Sequence, residues 1–326
     1  MPLRIIEIYI PGDRKDKLDK LLDKNKSMNV WSETLPGNFI HAKLLVKTEE
    51  AGPLLDELEK KFSALEGFRA IVLKAEATIP KPAEEEKPQE EGEKSTSVSR
   101  QELYQDIEES TSLTWIYILM VVLSSIVAAV GLLRNNIAIV IGAMVIAPLL
   151  GPNVALAFSI TLGDLKLAQK AGKTFLVGIM AAIAVSALTG FFMEVNPSMP
   201  EILSRTNPDL GDVIIALAAG AAGVLSFTRG LPSALIGVMV AVSLLPPLVV
   251  AGLLFGAGEV SMGLGALVLF LTNVAAINVA GIVTFLVQGI KPARWWEESK
   301  ARKASLIALS FWIILLAFLV YVLLIW

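Results

Sequence analysis

Two stretches decide how this chain is read: Arg134–Pro152, RNNIAIVIGAMVIAPLLGP, and Arg229–Pro247, RGLPSALIGVMVAVSLLPP. Overlaid at a shift of 95 positions and followed to Gly163 and Gly258, they share ten residues in thirty. The identical pairs are Arg134/Arg229, Ile141/Ile236, Gly142/Gly237, Met144/Met239, Val145/Val240, Leu149/Leu244, Leu150/Leu245, Pro152/Pro247, Val154/Val249 and Gly163/Gly258. Asp164 and Glu259 then match in charge. Apolar segments share Leu, Val and Ala through composition alone, but matched Arg, Met, Pro and two glycines point to an internal repeat.

Working outward, a hydrocarbon layer roughly 30 Å thick needs about 20 apolar residues per helix. Seven spans are expected: Leu113 to Leu133, Ile137 to Leu162, Thr174 to Val195, Val213 to Thr228, Leu231 to Phe255, Met262 to Gln288 and Ala304 to Trp326. The fourth is short and rich in small residues (Ala218, Ala219, Gly220, Ala221, Ala222, Gly223), which predicts packing inside the protein rather than against lipid. Each copy of the repeat sits in a unit of three spans, residues 113–195 and 212–290. Three is odd, so the second unit enters the bilayer from the opposite face, and the pair is expected to form an inverted 3+3 repeat. The span at 304–326 is an addition.

Lys166, Lys170 and Lys173 follow the second span, Arg229 the fourth, and Lys291, Arg294, Lys300, Arg302 and Lys303 the sixth; only Arg134 and Arg205 fall on the other side. That bias predicts a multi-pass protein of the cell (plasma) membrane with a cytoplasmic N-terminus and the C-terminus outside. Trp115, Trp295, Trp296, Trp312 and Trp326 read as interfacial anchors or as ordinary aromatics at span ends.

Composition agrees. The 326 residues are 54% hydrophobic and 18% charged, with a mean hydropathy of +0.64, too apolar for a soluble chain of this length. Residues 1–112 nevertheless hold 17 Lys/Arg and 23 Asp/Glu of the 28 and 31 in the whole chain. No cysteine and a single histidine, His41, exclude disulfides, thiolate nucleophiles and His/Cys metal clusters, so no metal, cofactor or catalytic residue is expected. A net charge of −3 gives no reason to expect nucleic acid.

In the charged third no signal peptide is expected, since the apolar start is followed at once by Asp13-Arg14-Lys15-Asp16-Lys17. Residues 1–79 read as a βαββαβ, ferredoxin-like α+β domain: a strand at Leu3–Ile10, a helix at Asp13–Lys24 and a hairpin of Asn29–Leu35 and Phe39–Lys47 about Pro36-Gly37-Asn38. A helix at Glu50–Ala64 and a last strand at Phe68–Ala75 complete it. His41, in the third strand, reads as packing or surface. Residues 80–97, with Glu84-Glu85-Glu86, Glu90-Glu91 and Glu93, form an acidic flexible tether. Ser99 and Glu102 make a capping box that opens an amphipathic lead-in helix, with Leu103 and Ile107 on one face of residues 98–112.

The candidate site follows from the prolines. Pro148 and Pro152 in the second span, and Pro246 and Pro247 in the fifth, each remove a backbone donor, so both helices are expected to break or kink at equivalent depth. Freed carbonyls in hydrocarbon must be buried in protein or line a wet cavity, and interrupted helices in two inverted halves point to a transporter's binding site. The predicted substrate-binding set is therefore Pro148, Gly151, Pro152, Asn153, Ser243, Pro246, Pro247, Asn273 and Asn278, with Asn273 and Asn278 loosely addressing one interior surface. The bland alternatives are proline kinks satisfied by neighbouring helices, and ordinary interhelical hydrogen bonds by the asparagines. No Asp, Glu, Lys, Arg or His lies near the middle of a span, which argues against a carboxylate relay or a midplane ring of charge. Helix amides, carbonyls and Asn or Ser side chains suit a small anion or a neutral polar solute.

The string IGAMVIAPLLGP at 141–152, preceded by Gly131-Leu-Leu-Arg-Asn-Asn and followed by Gly163-Asp164, resembles the uncharacterised hydrophobic-domain family, domain of unknown function 389. The resemblance covers roughly residues 100–290 and brings no activity, substrate or catalytic residue with it. In the second half Pro148 is replaced by Ser243 and Gly151 by Pro246, so the halves need not be chemically equivalent. The first functional reading is a non-enzymatic transporter or channel, using broken helices at the repeat interface, with a cytoplasmic regulatory or assembly domain. Its partners are the lipid bilayer, a small solute or ion, and a second copy in a homo-oligomer. The alternative is a non-transporting receptor or scaffold whose soluble domain binds the ligand or partner. An intramembrane enzyme ranks third, because Ser243 has no evident base.

Overall fold

The computed structural model describes residues 3–23, 29–75, 100–229, 233–290 and 295–325. It divides into two compact units, Met1–Tyr104 and Gln105–Trp326. The acidic tether at 80–97, Lys291, Arg294 and Trp326 lie outside the described residues.

The first unit holds β1 (Leu3–Pro11), α1 (Lys15–Asp23), β2 (Asn29–Leu35), β3 (Phe39–Lys47), α2 (Thr48–Phe62) and β4 (Arg69–Ala75). The sheet order is β2-β3-β1-β4, antiparallel throughout, which is the split arrangement that βαββαβ connectivity generates. Strand alternation sends Ile6, Ile8 and Ile10 of β1 and Ile40, Ala42, Leu44 and Val46 of β3 to one face, where Leu18 and Leu21 of α1 and Leu54, Leu58 and Phe62 of α2 cover them. The turn into β3 needs two left-handed residues and has Gly37 at φ 85° and Asn38 at φ 61°. The first turn of α3 (Arg100–Ser110) belongs to this unit, through an Arg4–Glu102 ion pair at 3.0 Å and a Gln101 Nε2 to Asp56 Oδ1 hydrogen bond at 2.8 Å.

The second unit is helical: the rest of α3, then α4 (Trp115–Leu133), α5 (Ile137–Ile146), α6 (Leu150–Leu162), α7 (Leu165–Phe192), α8 (Pro200–Leu203), α9 (Leu210–Thr228), α10 (Ser233–Gly256), α11 (Val260–Val287) and α12 (Trp295–Ile325). Among the described residues five helices are long and apolar enough to cross a membrane, or six if the bent pair α5 and α6 counts as one span. Such a set is that of a multi-pass membrane protein. The apolar Ser243–Gly256 part of α10 is shorter than a span on its own.

Burial sorts these helices. α11 buries 67% of its apolar window and α12 only 6%. The helix expected to be enclosed, α9, is instead one-sided: Ala216, Ala219 and Gly223 are buried while Ile214, Ile215 and Leu225 are exposed. Its small residues serve close approach rather than enclosure, since a Cβ on Gly220 would lie 2.8 Å from Ile277 Cα of α11. α7 packs most extensively on α10, and α11 on α9, α10 and α6.

Local features recur 95 residues apart. Arg134 and Arg229 end α4 and α9 with φ −94° each and ψ 3° and 0°, their N–H groups bonding back to Val130 and Leu225 respectively. Gly163 and Gly258 follow α6 and α10 at φ 69° and 85°, in the left-handed region that favours glycine. The next residues complete the cap identically: Asp164 N–H donates to Ser159 O and Glu259 N–H to Leu254 O, both at 2.9 Å.

Candidate functional site

The break in the second span begins with Pro148. Without an N–H it cannot bond the carbonyl of Met144, and α5 stops at Ile146; α6 starts at Leu150 after a 54° bend. Pro152 does not contribute to the break. It lies in the first turn of α6, where an N–H has no helical partner anyway, so proline is tolerated there. Gly151 is explained by packing: a Cβ there would come 2.7 Å from Cβ of Ser110, at the end of α3.

The equivalent break expected in the fifth span does not occur. α10 runs as one helix through Pro246 and Pro247. Two local differences account for this. The position matching the breaker Pro148 is Ser243, which keeps its N–H. The carbonyl that Pro247 leaves without a helical donor is that of Ser243, and Asn273 of α11 supplies the missing bond, Nδ2 donating to Ser243 O at 2.7 Å. Asn273 is 4% exposed and Ser243 5%, so an unmet carbonyl here would cost about 1–3 kcal/mol. At the positions 95 residues earlier stand Pro148 and Gly178, which offer no side-chain donor.

A second pair forms deeper in the bundle. Asn278 of α11 donates from Nδ2 to Asn153 Oδ1 at 2.7 Å, and also to Val274 O at 2.9 Å. Both asparagines are fully buried. Asn153 Nδ2 and Asn278 Oδ1, along with Asn273 Oδ1 and Ser186 Oγ, have no hydrogen-bond partner among the described residues. The structure thus brings the predicted residues together as two pairs, Ser243 with Asn273 and Asn153 with Asn278. It does not bring Asn273 and Asn278 to one surface, because five residues along α11 turn them toward different neighbours, α10 and α6.

Sequence reasoning missed the polar contacts that hold the basic N-terminal end of α7. Tyr117 donates to Thr174 O at 3.1 Å, Thr174 Oγ1 to Thr111 O at 2.7 Å, and Lys170 pairs with Glu108 at 3.2 Å. The only signal for Tyr117 is a hydroxyl-bearing ring in an otherwise apolar span, which needs a partner when buried.

In the first unit, His41 lies between two carboxylates, with Nδ1 2.9 Å from Glu33 Oε1 and Nε2 3.6 Å from Glu7 Oε2, and stacks on Tyr9 at 4.5 Å between centroids. Desolvation raises the pKa of Glu7, but the hydrogen bond and charge of Lys43, 3.2 Å away, with smaller help from Tyr9 and His41, hold it below the usual carboxylate range. The same face leaves Trp31, Ile71 and Leu73 exposed. Among the described residues no group of three or more His, Asp or Glu side chains could hold a metal ion.

Residues 144–279 match the family model described as Domain of unknown function (DUF389). An uncharacterized protein of Methanocaldococcus jannaschii is 38% identical over 316 residues, covering 97% of each chain. No solved structure matches. The matched segment runs from Met144, just before the break, to the residue after Asn278, and near-complete alignment with the archaeal relative extends the likeness to both units; the chain belongs to the DUF389 family.

Proposed function

We propose that the protein is a transporter or channel of the cell membrane for a small anion or a neutral polar solute. It is built from two inverted three-span units, α4 to α7 and α9 to α11, plus the added span α12. The sheet domain lies on the cytoplasmic side and serves regulation or assembly, the C-terminus lies outside, and copies of the chain associate as a homo-oligomer.

The observation that carries the reading is a pair of contacts related by the sequence shift. A Cβ on Gly252 of α10 would sit 2.5 Å from Ser186 Cβ of α7, and one on Gly281 of α11 would sit 3.0 Å from Ala157 Cβ of α6. Adding 95 to Ser186 gives Gly281, and subtracting it from Gly252 gives Ala157. A contact between units that maps onto its reverse is what a two-fold relation produces, and an odd span count lays that axis in the membrane plane. The matched caps at Arg134/Arg229 and Gly163/Gly258 support the same reading. With α10 counted as the fifth crossing, Asn153 and Asn278 join α6 and α11 of the two proposed units.

The test is flux through purified protein in vesicles over a panel of ions and metabolites, with Asn273→Ala and Pro148→Ala beside the parent. Transport that both variants abolish while remaining folded supports the reading. An inert parent, or variants that transport normally, sinks it. A second reading, a non-transporting receptor or scaffold, draws on the exposed Trp31, Ile71 and Leu73 of the sheet. It requires that deleting residues 1–97 destroy the biological readout with the bundle intact.

A further inference from the structure

We infer that the Asn153–Asn278 pair is a binding station for a small uncharged solute carrying both a hydrogen-bond donor and an acceptor, a hydroxyl or carboxamide compound, and that ions are not its ligands. The inference rests on the transport reading and narrows its substrate class.

The argument begins with the orientation of the two amides. Asn278 Nδ2 has two hydrogens and uses both, on Asn153 Oδ1 at 2.7 Å and on Val274 O at 2.9 Å. Turning this amide over would set its oxygen against two other oxygens, so Oδ1 of Asn278 must face away. Asn153, having given its oxygen to Asn278, is left with its amide nitrogen. The result is one locked acceptor and one two-hydrogen donor, both on side chains with no solvent exposure and neither with a partner among the described residues. Buried polar groups are normally satisfied, so a donor and an acceptor left over on one bonded pair point to a partner that the described residues do not supply. Each free atom shares an amide carbon with a bonded one, which keeps the two within about 7 Å, the reach of a molecule of a few heavy atoms.

The mixed polarity selects the ligand. An anion would meet the bare oxygen of Asn278, and a cation the N–H groups of Asn153. One amide donor and one amide acceptor are too few, and of opposite polarity, to offset a full charge taken out of water, whereas an alcohol or an amide answers the donor with its oxygen and the acceptor with its own hydrogen. A solute able to do only one of these leaves a buried group unpaired, which is how such sites reject close analogues.

The experiment reconstitutes the full chain in vesicles and follows volume change under gradients of glycerol and of urea, with sodium and chloride fluxes measured in parallel. The comparison protein is the double variant Asn153→Leu/Asn278→Leu. Removing both partners avoids the unpaired group a single change leaves, and a thermal unfolding scan checks that it is folded. The expected result is glycerol or urea permeability at least tenfold above protein-free vesicles, lost in the double variant, with ion flux at background. Asn153→Gln, which moves the amide by one methylene, should alter the glycerol-to-urea ratio. Ion flux without glycerol or urea flux overturns this inference and leaves transport standing. Neutral flux that survives in the folded double variant, with an unchanged ratio in Asn153→Gln, overturns the assignment of the pair. Flux of nothing at all overturns transport, and the inference with it.

Discussion

Gly190→Ala tests the close crossing of α7 and α10. A Cβ at this position would overlap the carbonyl oxygen of Leu253 and lie 2.8 Å from its carbon and 2.9 Å from its Cα, all backbone atoms that no rotamer change can move. Ordinary carbon contacts begin near 3.5 Å, so the helices must part by roughly 0.7 Å or more along the seam. Overpacking of this kind costs about 1–3 kcal/mol, offset by about 1 kcal/mol from replacing a helical glycine with alanine. Gly142→Ala is the internal control. It lies in α5 with nothing within 4 Å of an added Cβ, so it takes the helix gain alone. The two substitutions should therefore have opposite signs. For a bundle of this size, where 1 kcal/mol moves the midpoint by roughly 2–4 °C, Gly190→Ala should lower the apparent unfolding temperature in detergent by several degrees and Gly142→Ala should raise it slightly. Equal shifts from both, or stabilisation by Gly190→Ala, would refute the close approach.

Three further outcomes follow from the geometry. Asn273→Leu strips the donor from Ser243 O and should destabilise the bundle by about 1–3 kcal/mol, but much less on a Pro247→Ala background, where residue 247 regains the N–H that serves this carbonyl; additive effects in a double-mutant cycle would contradict the bond. Glu7 has a lowered pKa, so its ion pair with Lys43 stabilises the sheet above the unfolded carboxylate pKa and is lost as pH falls through the folded value. Lys43→Met should then reduce stability at pH 7 and match the parent at the acid end, and a pH-independent deficit in thermal scans would count against the pair. Because the chain has no cysteine, Arg134→Cys and Lys166→Cys report topology cleanly: impermeant maleimide on intact cells should label the first and spare the second, and the reverse pattern would invert the orientation.

Much of the fold was legible because its causes are local. Two-residue alternation in Leu3–Ile10 and Phe39–Lys47, and the Gly37-Asn38 turn, placed the sheet nearly residue for residue. Apolar length placed the long helices of the second unit. Proline placed the break, but not its asymmetry: Pro148 and Pro152 look alike in sequence and differ only in whether the missing N–H falls before a helix or inside its first turn. The Ser243 substitution was visible, yet that it keeps α10 intact depends on Asn273 reaching it from 30 positions away. The Asn153–Asn278 bond spans 125 positions and joins α6 to α11; no periodicity encodes such a contact. The enclosure expected of α9 failed for a related reason, since small residues mark where backbones approach and not how many sides of a helix are covered.

The difference between Pro148 and Ser243 also bears on stiffness. α5 and α6 meet at a 54° bend with no helix between them, whereas α10 runs continuously through Pro246 and Pro247 with Asn273 bonded to the Ser243 carbonyl. Under the transporter reading proposed above, the joint is then loose in one half and stiff in the other, and opening toward the two compartments would take unequal effort.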